Sequence, residues 1–282
     1  MDQATLSGIV DLRQEFGDLK GAVALVTGSG RGLGRMIAER LIGLGANMAL
    51  HDISESAPAQ YGEAPSLTAV AEQLTNSHTR TIGVIGDITK EADIARIVAR
   101  VEAELGPISI LVNCAGGDIG AGGTKPNPNG ALDVSLADAT AVFERNFIGK
   151  MLMCRAICPG MMDRGVGSVI NIGSLNAHQG VSPEVIYGCA KAAIVHYTRC
   201  LALEMRPHGV RINAVSPGPT KSARFLATRV LDEAMLHVDG SLERYAEPQE
   251  IADVVAFLAG PASKFISGQV IRVDGAMSLY AA

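Results

Sequence analysis

An apolar stretch that runs directly into a glycine-rich turn most constrains how this 282-residue chain can fold. Residues 22–26 predict a short buried strand, and residues 27–34, TGSGRGLG, predict the turn that follows it. The next residues show the apolar spacing of a helix. A strand, a glycine-rich turn and a helix in this order let backbone amides at the helix N-terminus face an anion. The chain therefore begins with a predicted phosphate-binding turn.

The glycines of this turn have the spacing G-x-x-x-G-x-G, with one further glycine inside it. This is not the commoner G-x-G-x-x-G, and the lysine of a G-K-[ST] nucleotide loop is missing. The position between a strand and a helix nevertheless favours a dinucleotide over other ligands. The residues expected to contact the cofactor here are Gly28, Gly30, Arg31, Gly32, Leu33 and Gly34.

The choice between NAD and NADP depends on an acidic residue after the second predicted strand, residues 47–50. Asp52 follows that strand, eighteen residues after Gly34. A carboxylate there can accept hydrogen bonds from the adenosine ribose and repels a 2′-phosphate. The sequence therefore favours NAD. Arg31 and, less strongly, Arg35 keep NADP as an alternative, since a guanidinium can bind that phosphate.

Predicted strands and helices alternate along the rest of the chain, without a repeat or an internal linker. This order predicts a single-domain Rossmann-type α/β fold, a doubly wound parallel sheet of about seven strands with helices on both faces. Ligands of such sheets bind at the carboxyl ends of the strands. Further strands are expected at 81–85, 108–112, 168–172, 211–215 and 269–273, and further helices at 66–76, 91–105, 136–162, 184–205 and 251–258.

Four segments lie outside this regular alternation. Residues 1–20 predict an N-terminal arm, and residues 21–282 form the predicted domain. Residues 53–65 are longer and more polar than a strand-to-helix turn needs, which indicates a surface excursion near the adenine end. Residues 117–130 are rich in Gly, Pro and Asn and must form a loop beside the ligand. Residues of about 219–247 suit a mobile lid.

A serine, a tyrosine and a lysine carry the candidate chemistry. Tyr187 and Lys191 lie four residues apart in a helical pattern, and Ser174 precedes the tyrosine by thirteen residues after a predicted strand. Free tyrosine titrates near ~10, and lowering its pKa by ~3 units takes about 4 kcal/mol. Two unit charges ~4 Å apart at an effective dielectric constant of ~20 interact by that amount. One lysine is therefore nearly enough to make the phenol a general base, and a cationic cofactor ring would add to its effect, although Y-x-x-x-K also occurs on ordinary helix surfaces.

Composition excludes several classes of function. A net charge of −5 and a pI of about 5.7 predict neither nucleic acid nor an anionic membrane as partner. No apolar run approaches the ~20 residues of a membrane span, and the first residues lack the order of a signal peptide, so a cytoplasmic location is expected. The five cysteines show no C-x-x-C pair and predict buried, reduced thiols without a metal site.

Taken together, these motifs closely resemble the short-chain dehydrogenase/reductase family over about residues 20–280. Each motif is modest alone, but their joint order and spacing are highly specific. The resemblance rests on Thr27, Gly28, Gly32, Gly34, Asp52, Asn113, Ala115, Gly116, Asn146, Ser174, Tyr187, Lys191, Pro217 and Gly218. Cys114 stands where many members carry a second asparagine, and residues 53–65 resemble insertions of members that hold their cofactor tightly.

The resemblance implies roles for the matching residues. Tyr187 would be the general acid/base, Lys191 would lower its pKa and bind the nicotinamide ribose, and Ser174 would hydrogen-bond the substrate oxygen. Asn146 would hold a water that links Lys191 to solvent. Asp87 either caps the following helix or touches adenine. The further cofactor-binding residues implied are Asp87, Ile88, Asn113, Ala115, Gly116, Tyr187, Lys191, Pro217, Gly218, Thr220 and Ser222.

The expected activity is hydride transfer between NAD(H) and a secondary alcohol or ketone. The residues expected on the substrate side are polar and favour a polyol, a sugar or a hydroxy acid: Asp118, Asn176, His178, Lys221, Arg224 and Phe225. An NADP-dependent reductase of acyl or alicyclic ketones and a non-catalytic dinucleotide-binding regulator are the alternatives. The apolar helices at 136–162 and 184–205 predict a subunit interface, and a homotetramer is expected.

Overall fold

The computed structural model describes residues 17–236 and 240–279 of the chain. Its centre is a sheet of seven parallel strands in the order β3-β2-β1-β4-β5-β6-β7. This confirms the predicted fold class. The strands are β1 Val23–Thr27, β2 Asn47–Asp52, β3 Thr81–Ile85, β4 Ile110–Asn113, β5 Gly167–Ile172, β6 Val210–Pro217 and β7 Val270–Val273.

Helices cover both faces of the sheet. They are α1 Gly32–Gly43, α2 Leu67–Leu74, α3 Glu91–Leu105, α4 Leu136–Phe143, α5 Gly149–Arg164, α6 Val185–Met205, α7 Ala223–Thr228 and α8 Pro248–Ala259. A π-helical turn, Glu144–Ile148, joins α4 to α5. The single helix expected over 136–162 is therefore interrupted at its middle. The part of the chain that the structure describes contains no helix long and apolar enough to cross a membrane.

The apolar strands supply two cores, one on each face. Successive residues of a strand point to opposite faces, and β1 shows this directly. Ala24 and Val26 pack in the core that contains α1 and α8, whereas Val23 and Leu25 pack in the core that contains α3 and α5. Because β1 is buried on both faces, an uninterrupted apolar run is what its position requires.

The strand order reverses at β1, which lies between β2 and β4 in the sheet. Loops that leave the carboxyl ends of β1 and β4 diverge at this point and open a crevice. Thr27 joins the two strand ends, because its Oγ1 accepts hydrogen bonds from the backbone amides of Cys114 and Ala115 at 3.0 Å each. The crevice is where the sequence places the dinucleotide.

The predicted arm and lid are only partly described. Residues 1–16 of the arm lie outside the described residues, but Leu19 is buried in the core and its amide bonds to the Leu44 carbonyl at 2.9 Å. Leu19, within the predicted arm, thus packs with the fold. The lid contains α7 and a 3-10 turn, Glu233–Leu236, while residues 237–239 lie outside the described ranges.

Candidate active site

The glycine-rich turn packs so closely against its neighbours that Gly28 and Gly34 have no room for a side chain. Gly28 has a φ of +67°, and a Cβ there would lie 2.9 Å from the Cα of Ala115. A Cβ on Gly34 would collide with the carbonyl of Gly28. The turn therefore lies directly against the backbone after β4, and α1 begins with its amides at the crevice.

Asp52 lies at the end of β2, against this turn. Its Oδ2 accepts a hydrogen bond from the Gly30 amide at 3.3 Å, and its Oδ1 accepts one from the Ile53 amide at 2.9 Å. A Cβ on Gly30 would be 2.9 Å from Oδ2. The carboxylate is buried beside the turn, and its predicted contact with the adenosine ribose stays a prediction.

Residues 53–65 fold back over the glycine-rich turn, a feature that the sequence indicated only as an excursion near adenine. Glu63 Oε2 accepts a hydrogen bond from the Gly32 amide at 2.7 Å. Arg31 donates to Gln60 Oε1 at 2.5 Å and lies 4.9 Å from the centre of the Tyr61 ring. Both a helix N-terminal amide and the candidate phosphate-binding arginine are thus engaged by this segment.

Asn146 holds the loop after β4 in place. Its Oδ1 accepts from the Gly117 amide at 2.9 Å, and its Nδ2 donates to the Gly117 carbonyl and to the Val142 carbonyl, both at 2.8 Å. The bond to Val142 competes with the backbone ladder four residues earlier, at the site of the π-helical turn. The side chain therefore organises Gly117, and its predicted role toward a water stays a prediction.

Ser174, Tyr187 and Lys191 meet beside the crevice. Ser174 precedes a 3-10 turn after β5, and Tyr187 lies in the first turn of α6, where the phenol is close enough to the Ser174 hydroxyl for that hydroxyl to lower its pKa. Lys191 Nζ lies 5.4 Å from the centre of the Tyr187 ring and donates to the Ile172 carbonyl at 2.9 Å. A Cβ on Gly116 would lie 3.8 Å from this Nζ. The fold brings together the three residues that the sequence singled out.

The pKa of Tyr187 differs from the sequence-based expectation of a lowered value. Burial raises the pKa of Tyr187, and the nearby Ser174 hydroxyl and the charge of Arg224 only partly oppose this effect. The Lys191 ammonium faces the ring and gives its hydrogen bond to Ile172 rather than to the phenol oxygen. Its own pKa is lowered by burial to about 8, so its charge is itself sensitive to surroundings.

Several residues that were predicted to bind the cofactor have side chains that contact other parts of the protein. Asn113 is fully buried and donates to Asn171 Oδ1 at 2.9 Å, so its side chain belongs to the core. Asp87 Oδ1 accepts from the Thr89 amide at 2.9 Å in the turn before α3, whose N-cap residue is Lys90, so the expected capping of that helix by Asp87 is wrong. Ile88 packs against Gly149, and Leu33 packs against the core. Backbone contacts of these residues with a cofactor stay predictions.

The segment after β6 closes the crevice from the other side. Thr220 Oγ1 donates to the Gly218 carbonyl at 2.9 Å, and Pro217 ends β6. Ser222 caps α7, and its Cβ lies 3.6 Å from where a Cβ of Gly32 would stand. Thr220 therefore supports the loop, whereas Ser222 faces the phosphate turn across the crevice.

A buried glutamate near Tyr187 was missed by the sequence analysis. Glu184 lies in a left-handed conformation with φ of +79° and pairs with Lys125 at 2.7 Å, with Arg229 and with Asn176 Nδ2 at 3.2 Å. Burial raises its pKa, but the bonds from Arg229 and Lys125 outweigh burial and leave the pKa lowered. In the sequence, only the polar residues just before the apolar helix α6 could have indicated this site.

The remaining predicted substrate residues have partners within the protein. Arg224 donates to the Gly116 carbonyl at 3.3 Å, and Asp118 accepts from Asn129 at 2.7 Å. Burial raises the pKa of Asp118. His178 hydrogen-bonds Ser216 at 2.9 Å, and burial lowers its pKa, which agrees with a wall residue rather than a catalyst. Phe225 packs edge-on against Tyr245.

The cysteines are free, as expected, but not all are buried. Cys154 and Cys158 are buried, whereas Cys189 and Cys200 are exposed, because they lie on the outer face of α6. Within residues 17–236 and 240–279 no group of three His, Cys, Asp or Glu side chains could hold a metal ion.

This sheet, with a glycine-rich turn at its reversal point and a serine, a tyrosine and a lysine at its carboxyl edge, defines a nicotinamide-dependent oxidoreductase of the Rossmann class. A family model described as enoyl-(acyl carrier protein) reductase matches residues 28–278. The chain belongs to the short-chain dehydrogenase/reductase family, and it is an NAD(P)-dependent enzyme that acts on CH–OH groups.

Relatives cover almost the whole chain. Cyclohexanol dehydrogenase of Rhodococcus sp. (strain TK6) is 32% identical, over 92% of this chain and 97% of its own. A 2,3-dihydroxy-2,3-dihydro-p-cumate dehydrogenase of Pseudomonas putida is also 32% identical, over 93% and 96%. A solved short-chain type dehydrogenase/reductase from Mycobacterium marinum superimposes with a TM-score of 0.80 at 27% identity, covering 95% of this chain and 99% of that one.

Proposed function

We propose that this protein is an NAD-dependent dehydrogenase of secondary alcohols in which Tyr187 transfers the proton. The observation that carries the proposal is the meeting of Ser174, Tyr187 and Lys191 beside Gly116 at the carboxyl edge of the sheet. A phenol, a hydroxyl and an ammonium at one point can hold an alcohol oxygen and remove its proton. A non-catalytic binder has no need of this set.

The residues around the crevice fit a dinucleotide. The turn contains glycines where a Cβ would fill the space, and the N-terminal amides of α1 can bind a pyrophosphate. Asp52 supports NAD because its buried carboxylate lies where a 2′-phosphate would have to enter, and Arg31 is engaged by Gln60. NADP remains the alternative cofactor. The Glu63 carboxylate must leave the Gly32 amide when a pyrophosphate binds there.

Three residues of the chain have separate roles in the proton transfer. The bound nicotinamide accepts or returns the hydride. Ser174 orients the alcohol oxygen, because its hydroxyl lies close enough to the phenol to lower the pKa of Tyr187. Tyr187 takes the alcohol proton at its phenol oxygen during oxidation and returns it during reduction. Lys191 stabilises the phenolate through its charge, and the positively charged ring of an oxidised nicotinamide would add to that effect.

The substrate side supports a polar alcohol. Asp118, Glu184 and Arg224 line it, and each is a charged or strongly hydrogen-bonding group. The buried Oδ1 of Asp118 has no hydrogen-bond partner among the described residues, and a hydroxyl group of a polyol, a sugar or a hydroxy acid can supply one, whereas a purely apolar substrate cannot. The alternative, an alicyclic alcohol or ketone, is favoured by the names of the Rhodococcus and Pseudomonas relatives.

The experiment follows cofactor reduction by absorbance, with NAD and NADP separately, across polyols, sugars, hydroxy acids and alicyclic alcohols. Tyr187→Phe should lower kcat/KM at least 10²-fold, because the proton then has no acceptor. Tyr197→Phe removes a phenol from the same helix, where its ring packs on Phe147, and should leave activity intact. Unchanged activity of Tyr187→Phe would refute the role of Tyr187, whereas NAD binding without turnover of any alcohol would favour the non-catalytic regulator.

We further propose a homotetramer built on the α4–α5 and α6 helices. Leu136 on α4 and Leu203 on α6 are 83% and 70% exposed, which supports an uncovered apolar surface on both elements. Light scattering of the purified protein tests this, and a stable monomer would refute it.

A further inference from the structure

Lys150 is fully buried in the middle of α5, next to the proposed active site. Its Nζ donates to the Ile172 carbonyl at 2.7 Å, and the Nζ of Lys191 donates to the same carbonyl at 2.9 Å. A lysine is almost never completely buried unless a partner compensates its charge. The two amines therefore share one carbonyl at the end of β5.

No carboxylate compensates this pair in the part of the chain that the structure describes. The ionisable groups that face Lys150 are Lys191 on α6, Cys114 after β4 and Cys154 on its own helix. Burial raises the pKa of Cys114, and the bond with Cys158 together with burial raises that of Cys154, so both thiols are neutral. Arg224 adds a further positive charge near Lys191.

Two ammonium groups at one carbonyl repel each other in such surroundings, so one of them must give up its proton. Burial and the charge of Lys191 hold the pKa of Lys150 well below its usual range. Burial also lowers the pKa of Lys191, to about 8, but the neighbouring Lys150 amine acts in the opposite direction and supports the charged form of Lys191. The pair thus favours a charged Lys191 beside a neutral Lys150.

We propose that Lys150 is a positioning residue of the proposed reaction, whose neutral amine accepts a hydrogen bond from the Lys191 ammonium and keeps that charge at the Tyr187 ring. The proposal rests on the roles of Tyr187 and Lys191 in the proposed function. Lys150 itself does not touch the substrate. Its effect reaches the alcohol through Lys191 and then through the phenolate that this ammonium stabilises.

Replacing the amine should move the pH profile of alcohol oxidation. In Lys150→Met the Lys191 ammonium loses the Lys150 acceptor and keeps only the Ile172 carbonyl, so its pKa falls and it carries less charge at a given pH. The Tyr187 phenolate is then less stabilised, and the acidic limb of the kcat/KM profile should shift upward by about one unit, a tenfold loss on that limb. Lys150→Gln keeps an acceptor and a donor and should restore most of the profile.

A purely structural lysine gives a different result. If Lys150 serves only the Ile172 carbonyl, Lys150→Met lowers the melting temperature and leaves the acidic limb at its wild-type pH, which would overturn the proposal. A Met153→Leu variant, also in the buried face of α5, controls for repacking of this core.

A measurement on the unmodified protein does not depend on folding of the variants or on turnover. NMR of protein with 13C-labelled lysine ε-carbons should show one buried amine that titrates near pH 8 and another whose pKa lies well below the usual lysine range and that is neutral when the first is charged. Two buried ammonium groups at pH 7 would overturn the inference even if Tyr187→Phe abolishes activity. Conversely, an active Tyr187→Phe refutes the proposed function, whereas the titration still tests the protonation states of Lys150 and Lys191 independently.

Discussion

Glu63 Oε2 accepts a hydrogen bond from the Gly32 amide at 2.7 Å, at the N-terminus of α1. The same amide belongs to the turn that would bind the cofactor pyrophosphate, so the carboxylate and the pyrophosphate compete for one position. Glu63→Gln removes the negative charge and should lower the dissociation constant of NAD about three- to tenfold. The lost interaction with the helix dipole should cost about 0.3–1 kcal/mol of stability.

Calorimetric titration with NAD measures this effect. Glu72→Gln makes the same charge change at an exposed position of α2 and should leave NAD affinity unchanged. Weaker binding in Glu63→Gln would mean that this side chain holds the cofactor, which is the role implied by the likeness of residues 53–65 to insertions of tight-binding family members.

Glu184 joins two segments that border the substrate side, through Lys125 in the loop after β4 and Arg229 after α7. Its side chain is only 10% exposed, so Glu184→Gln leaves two cations without their counter-charge. We expect KM for the alcohol to rise about tenfold, because the loop and the lid no longer close together. The partly exposed cations limit the loss of stability to about 1–3 kcal/mol.

Steady-state kinetics and thermal unfolding test this expectation together. Lys125→Gln breaks only one of the two pairs and should raise KM by a smaller factor. An unchanged KM in Glu184→Gln with a lower melting temperature would show that Glu184 stabilises the fold without shaping the substrate side.

The sheet was predictable because its strands are short, apolar and separated by helical patterns. β1 has five buried residues in succession, which only a strand covered on both faces requires. The π-helical turn was not predictable, because it accompanies a contact between Asn146 and Gly117, 29 residues earlier. Local spacing carries no information about such a contact.

The triad was predictable for a similar reason, since Tyr187 and Lys191 are separated by one helical turn and Ser174 ends a strand. Glu184 lies in the same stretch but has partners 59 residues before it and 45 residues after it. Lys150 lies within an apolar helix, and its link to Lys191 exists only through the Ile172 carbonyl. Groups defined by tertiary contacts of this kind emerge only from the fold.

Asp52→Ala should shift cofactor preference toward NADP. The carboxylate lies against Gly30, where a 2′-phosphate would meet its charge, and its removal eliminates that repulsion. We expect the ratio of kcat/KM for NADP to that for NAD to rise at least about tenfold. Asp52→Asn, which keeps the hydrogen-bonding shape, should give a smaller shift. No shift in either variant would mean that the ribose is recognised elsewhere.

Thermal stability should fall at acidic pH through Glu250, at the start of α8. Its carboxylate accepts bonds from Arg244 at 2.6 and 2.8 Å and from the Glu247 amide at 2.8 Å, and the bonds from Arg244 contribute most to lowering its pKa, to about 2. Since this pKa lies below the unfolded value of about 4.3, the stabilisation is complete above that pH and is lost as pH falls toward 2. Melting temperatures followed by circular dichroism should therefore be level above about pH 5 and decline below about pH 4.3.

Glu250→Gln should melt lower than the wild type at pH 7 and converge with it near pH 2, whereas Glu72→Gln should follow the wild type throughout. Equal melting temperatures of Glu250→Gln and wild type at pH 7 would show that the Arg244 pair contributes nothing to stability.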